Sequence, residues 1–256
     1  MNVQVLDLGL VDYEPAWKLQ EEYAAEIAAG ARPPTLLLLE HPHTFTFGRR
    51  GNAENLLWSP EELTRRGVGV HWVDRGGDVT YHGPGQLVGY PLLPLEPIRP
   101  DRFPGESSDP EDSVEKPVRS PAVDYVGYVR NLENTLILAL ARLGLVAGQV
   151  SGLTGVWVQN DVWSRCPRCR PEDRSKPAKV AAIGVKVDAR GVTRHGFALN
   201  VAPDMEYFDG IVACGLADHP VVSLADLLSP LPSMDRVKAE VTAAFRDVFG
   251  DETKSG

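Results

Sequence analysis

Cysteine is scarce, long apolar runs are missing and positive charge is in deficit, and each shortage removes a class of protein. Three cysteines in 256 residues are an odd count that supports no disulfide framework and suits a reducing compartment, so a cytoplasmic setting is expected. The longest apolar stretches, Thr35 to Leu39 and Leu136 to Leu140, fall far short of the roughly 20 residues a membrane helix needs. The net charge of -9 argues against non-specific nucleic-acid binding, which requires a basic face. The opening Met1-Asn2-Val3-Gln4-Val5 lacks a basic stretch followed by a long apolar one and does not read as a secretory signal. No internal repeat is visible. The length suits one catalytic domain spanning residues 1–256, large enough to bury a sizeable core.

What the sequence does have is glycine, concentrated. The run Arg75-Gly76-Gly77-Asp78-Val79-Thr80-Tyr81-His82-Gly83-Pro84-Gly85-Gln86 holds four glycines in twelve residues. Without a Cβ, glycine lets backbone approach a ligand closely and permits positive φ. The run reads as two ligand-hugging turns joined by a short strand, with Arg75 and His82 as polar handles. It is not a P-loop, since no Gly-Lys-Ser/Thr follows, and not a dinucleotide fingerprint, since no helix opens behind it.

Around this run, helical and alternating patterns mix without a strict strand-helix rhythm. Strands are expected at Val3 to Leu8, Thr35 to Glu40, Val70 to Val73, Val79 to Tyr81, Leu87 to Tyr90 and Gly155 to Val158. Phe45 and Phe47 alternate as in a further strand, and Lys179 to Val187 with Val192 to Val201 form a hairpin. Helices are expected at Tyr13 to Ala29, with Tyr13, Trp17, Tyr23 and Ile27 near one face; at Ala122 to Leu143, with apolar residues from Val123 and Val126 to Leu143; and at Met234 to Phe249, capped by Ser233. Ser59-Pro60-Glu61-Glu62 is a capping box that opens a short helix stopped by Gly67. The pattern favours α+β, a mixed or antiparallel sheet flanked by helices. Proline-rich 96–121 and polar 159–177 read as surface insertions.

Cys214, in Gly210-Ile211-Val212-Ala213-Cys214-Gly215, fits a turn that could present a thiol and backbone N–H groups to a developing oxyanion; a small buried side chain is the plainer alternative. A thiol needs a cation or base nearby to be nucleophilic at neutral pH. Lys179, at the head of an apolar strand, could serve, and so could His82 or His195. Lys176 and Lys186 read as exposed lysines. Cys166-Pro167-Arg168-Cys169 has metal-ligand spacing, but a structural zinc site needs four ligands. An exposed redox-sensitive pair is the simpler reading. His41 and His43 lack the carboxylates of a metal site, so no metal is expected. Arg49 and Arg50, with Arg65, Arg66 and Arg75, are candidates for docking an acidic partner.

Taken together, Glu40-His41-Pro42 with Phe47-Gly48, the run Arg75 to Gln86, Lys179 to Gly184, His195 to Asn200 and Cys214-Gly215 resemble the lipoyl(octanoyl) transferases. These pieces stand in family order and span most of the chain outside the two insertions. The resemblance implies the fold of biotin and lipoate protein ligases. It implies transfer of an octanoyl group from acyl carrier protein to a lysine of lipoyl domains, in the 2-oxoacid dehydrogenase complexes and the glycine cleavage H protein. It implies Cys214 as the acyl-thioester nucleophile and Lys179 as the residue that activates it. Substrate binding would fall on Arg75, Gly76, Gly77, Asp78, Val79, Thr80, Tyr81 and His82, on Ala182, Ile183 and Gly184, and on Gly196, Phe197 and Ala198. No cofactor is implied, because the carrier's phosphopantetheine thioester is already activated.

Overall fold

The structure, a computed structural model, describes residues 2–95, 123–163, 166, 171–215 and 219–250, and of Cys214 the backbone alone. The proline-rich stretch expected at 96–121 and Cys169 lie outside the described residues. The strands are β1 (Gln4–Leu10), β2 (Thr35–Glu40), β3 (Thr44–Phe47), β4 (Gly69–Trp72), β5 (Val79–His82), β6 (Gln86–Leu92), β7 (Gly148–Val150), β8 (Leu153–Val158), β9 (Ala178–Val187) and β10 (Thr193–Asn200). The helices are α1 (Tyr13–Ala28), α2 (Pro60–Arg66), α3 (Tyr125–Arg142), α4 (Asn160–Trp163), α5 (Leu224–Leu227) and α6 (Met234–Phe249). Among the described residues no helix is long and apolar enough to cross a membrane.

A seven-stranded sheet runs in the order β1-β2-β6-β10-β9-β8-β7, and a three-stranded sheet in the order β4-β3-β5. The large sheet is mixed: β1 and β2 are parallel, and the pairs β2–β6, β6–β10, β10–β9, β9–β8 and β8–β7 are antiparallel. The leucines of β2 show why helices cover both faces. Leu37 and Leu39 join the core under α1, whereas Leu36 and Leu38 join the core under α3 and α6. A strand buried on both sides needs a continuous apolar run, because neighbouring side chains point opposite ways.

The helix boundaries follow their caps. α3 starts at Tyr125, later than its apolar spacing suggests, because Asp124 accepts the N–H of Gly127 at 2.7 Å. Val126 consequently lies exposed. In α6 Ser233 accepts the N–H of Arg236, and in α2 Ser59 accepts that of Glu62. The buried stripe of α1 is Tyr13, Ala16, Gln20, Ala24 and Ile27; small residues, not Trp17 and Tyr23, let this helix lie close to the sheet.

The stretch 159–177 is not simply a polar surface loop. Trp163 is buried and its Nε1–H donates to the carbonyl of Lys176 at 2.8 Å. Cys166 is buried in the main core, so the expectation of an exposed cysteine fails there. Burial of the indole and thiol gives this segment the apolar anchor that its average composition hides.

Candidate active site

The glycine run reaches β9 and β10 across a cavity of about 540 Å³, within the usual size of small-molecule sites. Arg75, Gly76, Gly77, Asp78, Thr80 and His82 line it from one side. Ala182, Ile183 and Gly184 of β9 and Gly196, Phe197 and Ala198 of β10 line it from the other, together with Lys179. Val79 and Tyr81 do not: both are buried in the core of the small sheet with Phe45, Phe47 and Leu63. The reason is strand alternation, which sends Thr80 and His82 to one face of β5 and their neighbours to the other.

The two glycine turns also differ. Gly76 and Gly77 line the cavity, but Gly83 and Gly85 are absent from its lining. Gly85 has φ +86, and a Cβ there would stand 2.3 Å from the carbonyl oxygen of Ala202. Its N–H donates to Glu40 at 2.7 Å, and its carbonyl accepts the N–H groups of Val201 and Ala202. Gly83 lies under the Tyr81 ring, whose Oη would stand 1.9 Å from an added Cβ, so the second turn packs against the protein's own ring and backbone and does not hug a ligand.

The first turn is pinned at every residue. Asp74 accepts from His195 Nε2 at 2.7 Å, from Arg194 Nη2 at 2.8 Å and from Lys186 Nζ. Lys186 is thus engaged, not an exposed strand-end lysine. Burial alone would raise the Asp74 pKa; the bonds from His195 and Lys186, with the charge of Arg194, outweigh it and hold this carboxyl below the ordinary range. Arg75 is buried and donates through Nη2 to the carbonyl and hydroxyl of Thr46. The N–H of Gly76 donates to the carbonyl of Val185 at 2.9 Å, and that of Arg50 to the carbonyl of Gly77 at 3.1 Å. Gly48 permits this close approach, since a Cβ there would meet the Gly77 oxygen at 2.4 Å.

Asp78 closes the site toward the cysteine. Its carboxylate accepts the N–H of Asn52 at 3.0 Å and that of Val79 at 2.7 Å, and Asn55 Nδ2 donates to it as well. The carbonyl of Asn55 in turn accepts the N–H of Val212 at 2.9 Å. Beyond Val212 the chain makes the 3-10 turn Ala213–Gly215 that carries Cys214. Gly215, with φ +66, lines the same cavity as Lys179. Lys179 is buried, and its Nζ lies 4.7 Å from the ring centroid of Trp157.

Hydrogen bonding separates the histidines. Nδ1–H of His82 donates to Gln86 Oε1 at 2.8 Å, because Gln86 Nε2 already donates to the carbonyl of Tyr81 and to Asn200 Oδ1. His82 Nε2 then accepts the Thr46 hydroxyl at 3.3 Å. Burial pushes its pKa well below the ordinary histidine value. His41 is committed in the same way, Nδ1–H to the carbonyl of Val11 at 2.6 Å and Nε2 accepting from Tyr90 at 2.7 Å, and burial lowers it to about 4. His195 stands at φ +56 in β10, its N–H donating to Gln20 Oε1 at 2.7 Å. Burial lowers its pKa and the bond to Asp74 partly restores it. Neither His82 nor His41 offers an uncommitted nitrogen to a thiol.

The expected basic patch shrinks. Arg65 and Arg66 both bond Glu62, the second also lying over the Trp58 ring, and Arg75 is buried. Arg49 and Arg50 stay exposed, and Arg50 lines the cavity. Residues that the sequence did not single out for this cavity include Tyr13, Tyr90, Tyr125, Gly152, Leu153 and Thr154. Asp74, which fixes the loop, was missed too. An acid preceding Arg-Gly-Gly was its only local signal. Among the described residues no cluster of His, Cys, Asp or Glu has the spacing to hold a metal ion.

The chain is similar to known proteins over nearly its whole length. The family described as the lipoyl protein ligase A/B catalytic domain matches residues 12–104 and 113–246. The chain is 43% identical over 247 residues to the octanoyltransferase of Chloroflexus aurantiacus, covering 96% of this chain and 94% of that protein. It is 41% identical over 255 residues to the octanoyltransferase of Solibacter usitatus, covering 100% of this chain and 96% of that one. Among solved structures it is similar to lipoate-protein ligase A bound with ATP, with TM-score 0.63, 16% identity, and coverage of 97% and 86% of the two chains. It is similar also to a bipartite lipoate protein ligase from Thermoplasma acidophilum, with TM-score 0.61, 16% identity and coverage of 97% and 84%. At that identity the structural likeness bears on fold alone.

Proposed function

The chain belongs to the lipoyl protein ligase A/B catalytic family and acts as an octanoyltransferase of lipoate biosynthesis, and we propose that it moves the octanoyl group through a thioester on Cys214. The donor is the octanoyl thioester on the phosphopantetheine arm of an acyl carrier protein. The acceptor is a lysine of a lipoyl domain in the 2-oxoacid dehydrogenase complexes and in the glycine cleavage H protein. The setting is the cytoplasm.

In the first step Lys179 takes the Cys214 proton and the thiolate attacks the donor carbonyl. A carbon–sulfur bond to the enzyme forms, the bond to pantetheine breaks, and the departing thiolate receives the proton. In the second step the acceptor amine attacks the enzyme thioester, a carbon–nitrogen bond forms, and Cys214 leaves as thiolate while the amine's proton passes to Lys179. Dividing the transfer this way lets two large partners visit in turn. No nucleotide or metal is required, because a thioester is already activated.

The observation that carries this reading is the shared cavity: Lys179 and Gly215, the residue after Cys214, line the space bounded by the glycine loop. The commitment of both His82 nitrogens supports Lys179 over that histidine as proton acceptor. Leu153, Ala182, Ile183, Phe197 and Ala198 give the cavity an apolar part, where burial of an alkyl chain contributes roughly 0.8 kcal/mol per CH₂. The test is intact-mass measurement after mixing the enzyme with octanoyl-acyl carrier protein. One octanoyl group on Cys214, absent in Cys214→Ala, is expected. Lys179→Ala should slow loading far more than His82→Ala. AMP release from ATP and free octanoate, with turnover by Cys214→Ala, would instead make the protein a ligase.

A further inference from the structure

Lys179 is held by a strand segment that is itself held from the other side. Its N–H donates to the carbonyl of Pro220 at 2.8 Å, and its carbonyl accepts the N–H of Val222 at 3.0 Å. The carbonyl of Val222 accepts Asn200 Nδ2 at 3.1 Å. Asn200 ends β10 directly opposite Gln86, the first residue of β6, and Gln86 Nε2 donates to Asn200 Oδ1 at 2.9 Å. Gln86 Oε1 accepts from His82, and His82 Nε2 accepts from Thr46, whose hydroxyl also accepts from Arg75. One buried chain of side-chain bonds therefore runs from the glycine loop through Thr46, His82, Gln86 and Asn200 to the segment clamped on Lys179. Each amide in it is used as both donor and acceptor, so its direction is fixed. Buried polar networks with every member bonded hold one geometry.

We propose that Asn200 and Gln86 are positioning residues for Lys179, setting where its amine stands relative to Cys214. The proposal rests on the role given to Lys179 above. His82 then serves as a link in this chain and not as a base. The chain also joins the loop that lines the cavity to the group that starts the chemistry.

The experiment is a double-mutant cycle on the full-length protein. Loading of Cys214 by octanoyl-pantetheine is followed by intact mass in a single turnover, and binding of the same thioester is measured in the Cys214→Ala background. Asn200→Asp keeps the acceptor for Gln86 and removes the donor to Val222. It should slow loading by about 10- to 100-fold, the scale of a buried carbonyl left without its donor. Gln86→Glu, one link further away, should slow it about threefold to tenfold on the same scale. The dissociation constant should change by less than about twofold in either variant, within the scatter expected when no contact to the ligand is lost. In a Lys179→Ala background, adding Asn200→Asp should cost nothing more. Thermal melting confirms that each variant is folded, and Asn200→Ser replaces Asn200→Asp if the latter is not. An equal loss in both backgrounds, or weaker binding with unchanged loading, overturns the positioning role. Full-rate loading by Lys179→Ala alone is a different result: it removes the role of Lys179 itself.

Discussion

In the run from Arg75 to Gln86 the first glycine pair lines a cavity and the second packs against the protein itself, Gly83 on the Tyr81 ring and Gly85 on the Ala202 backbone. Both pairs include a residue at strongly positive φ, Gly77 at +87 and Gly85 at +86. Their surroundings differ. A Cβ on Gly77 would meet only Arg75 Nη1, at an ordinary 3.5 Å, whereas one on Gly85 would run into the Ala202 carbonyl at 2.3 Å. Glycine in the first turn leaves room for a ligand; in the second it lets β6 start beside the end of β10. Composition is alike, but one turn bears on activity and the other on stability.

Substitution should break this symmetry. Gly85→Ala adds left-handed strain to an unyielding backbone clash, about 4 kcal/mol together. A melting scan should show the transition lowered by roughly 8–16 °C. Acid probes the stretch between the turns, where His82 lies beside His41 with ring centroids 5.7 Å apart. Both are held below the ordinary histidine value by burial, as is His195. Their stabilisation is complete above about pH 6.5, the unfolded value, and is lost as pH falls toward the folded values. The gap between the ordinary histidine value of 6.5 and about 4 makes His41 alone worth of order 3 kcal/mol. Denaturant titrations at pH 8 and pH 4.5 should show the drop, and His41→Gln should shrink it. Gly77→Ala should cost only about 1–2 kcal/mol of backbone strain while slowing Cys214 loading disproportionately. Gly76→Ala, at a residue without positive φ and with Tyr125 Oη at 3.3 Å from the added carbon, should change stability least, by under about 1 kcal/mol, and is read by the KM for octanoyl donor.

Much of this was legible in the sequence because the signals were local. The leucine run announced a buried β2, Ser59 and Ser233 announced helix starts, and the spacing from Leu132 to Leu140 announced α3. The run Arg75 to Gln86 drew attention to one wall of the cavity. Alternation along β5 could have excluded Val79 and Tyr81 beforehand, since a strand cannot turn four successive side chains to one face. Other features had no local signal. Lys186 looked exposed because its partner, Asp74, is 112 residues away in the chain. Tyr13 and Tyr90 reach the cavity from elements whose patterns already read as core. Cys166 looked exposed because the polar residues around it outnumber the tryptophan that anchors the segment.

The backbone bond from Lys179 to Pro220 has a consequence for how such an enzyme diversifies. Since the N–H of Lys179 donates to the Pro220 carbonyl at 2.8 Å, the amine proposed for the chemistry is anchored near the head of β9, while residues further along the strands, Ala182 to Gly184 of β9 and Gly196 to Ala198 of β10, line the cavity. Mutations there can lengthen or shorten the accepted chain without disturbing the reacting pair. Selection for a new acyl length can therefore proceed one residue at a time.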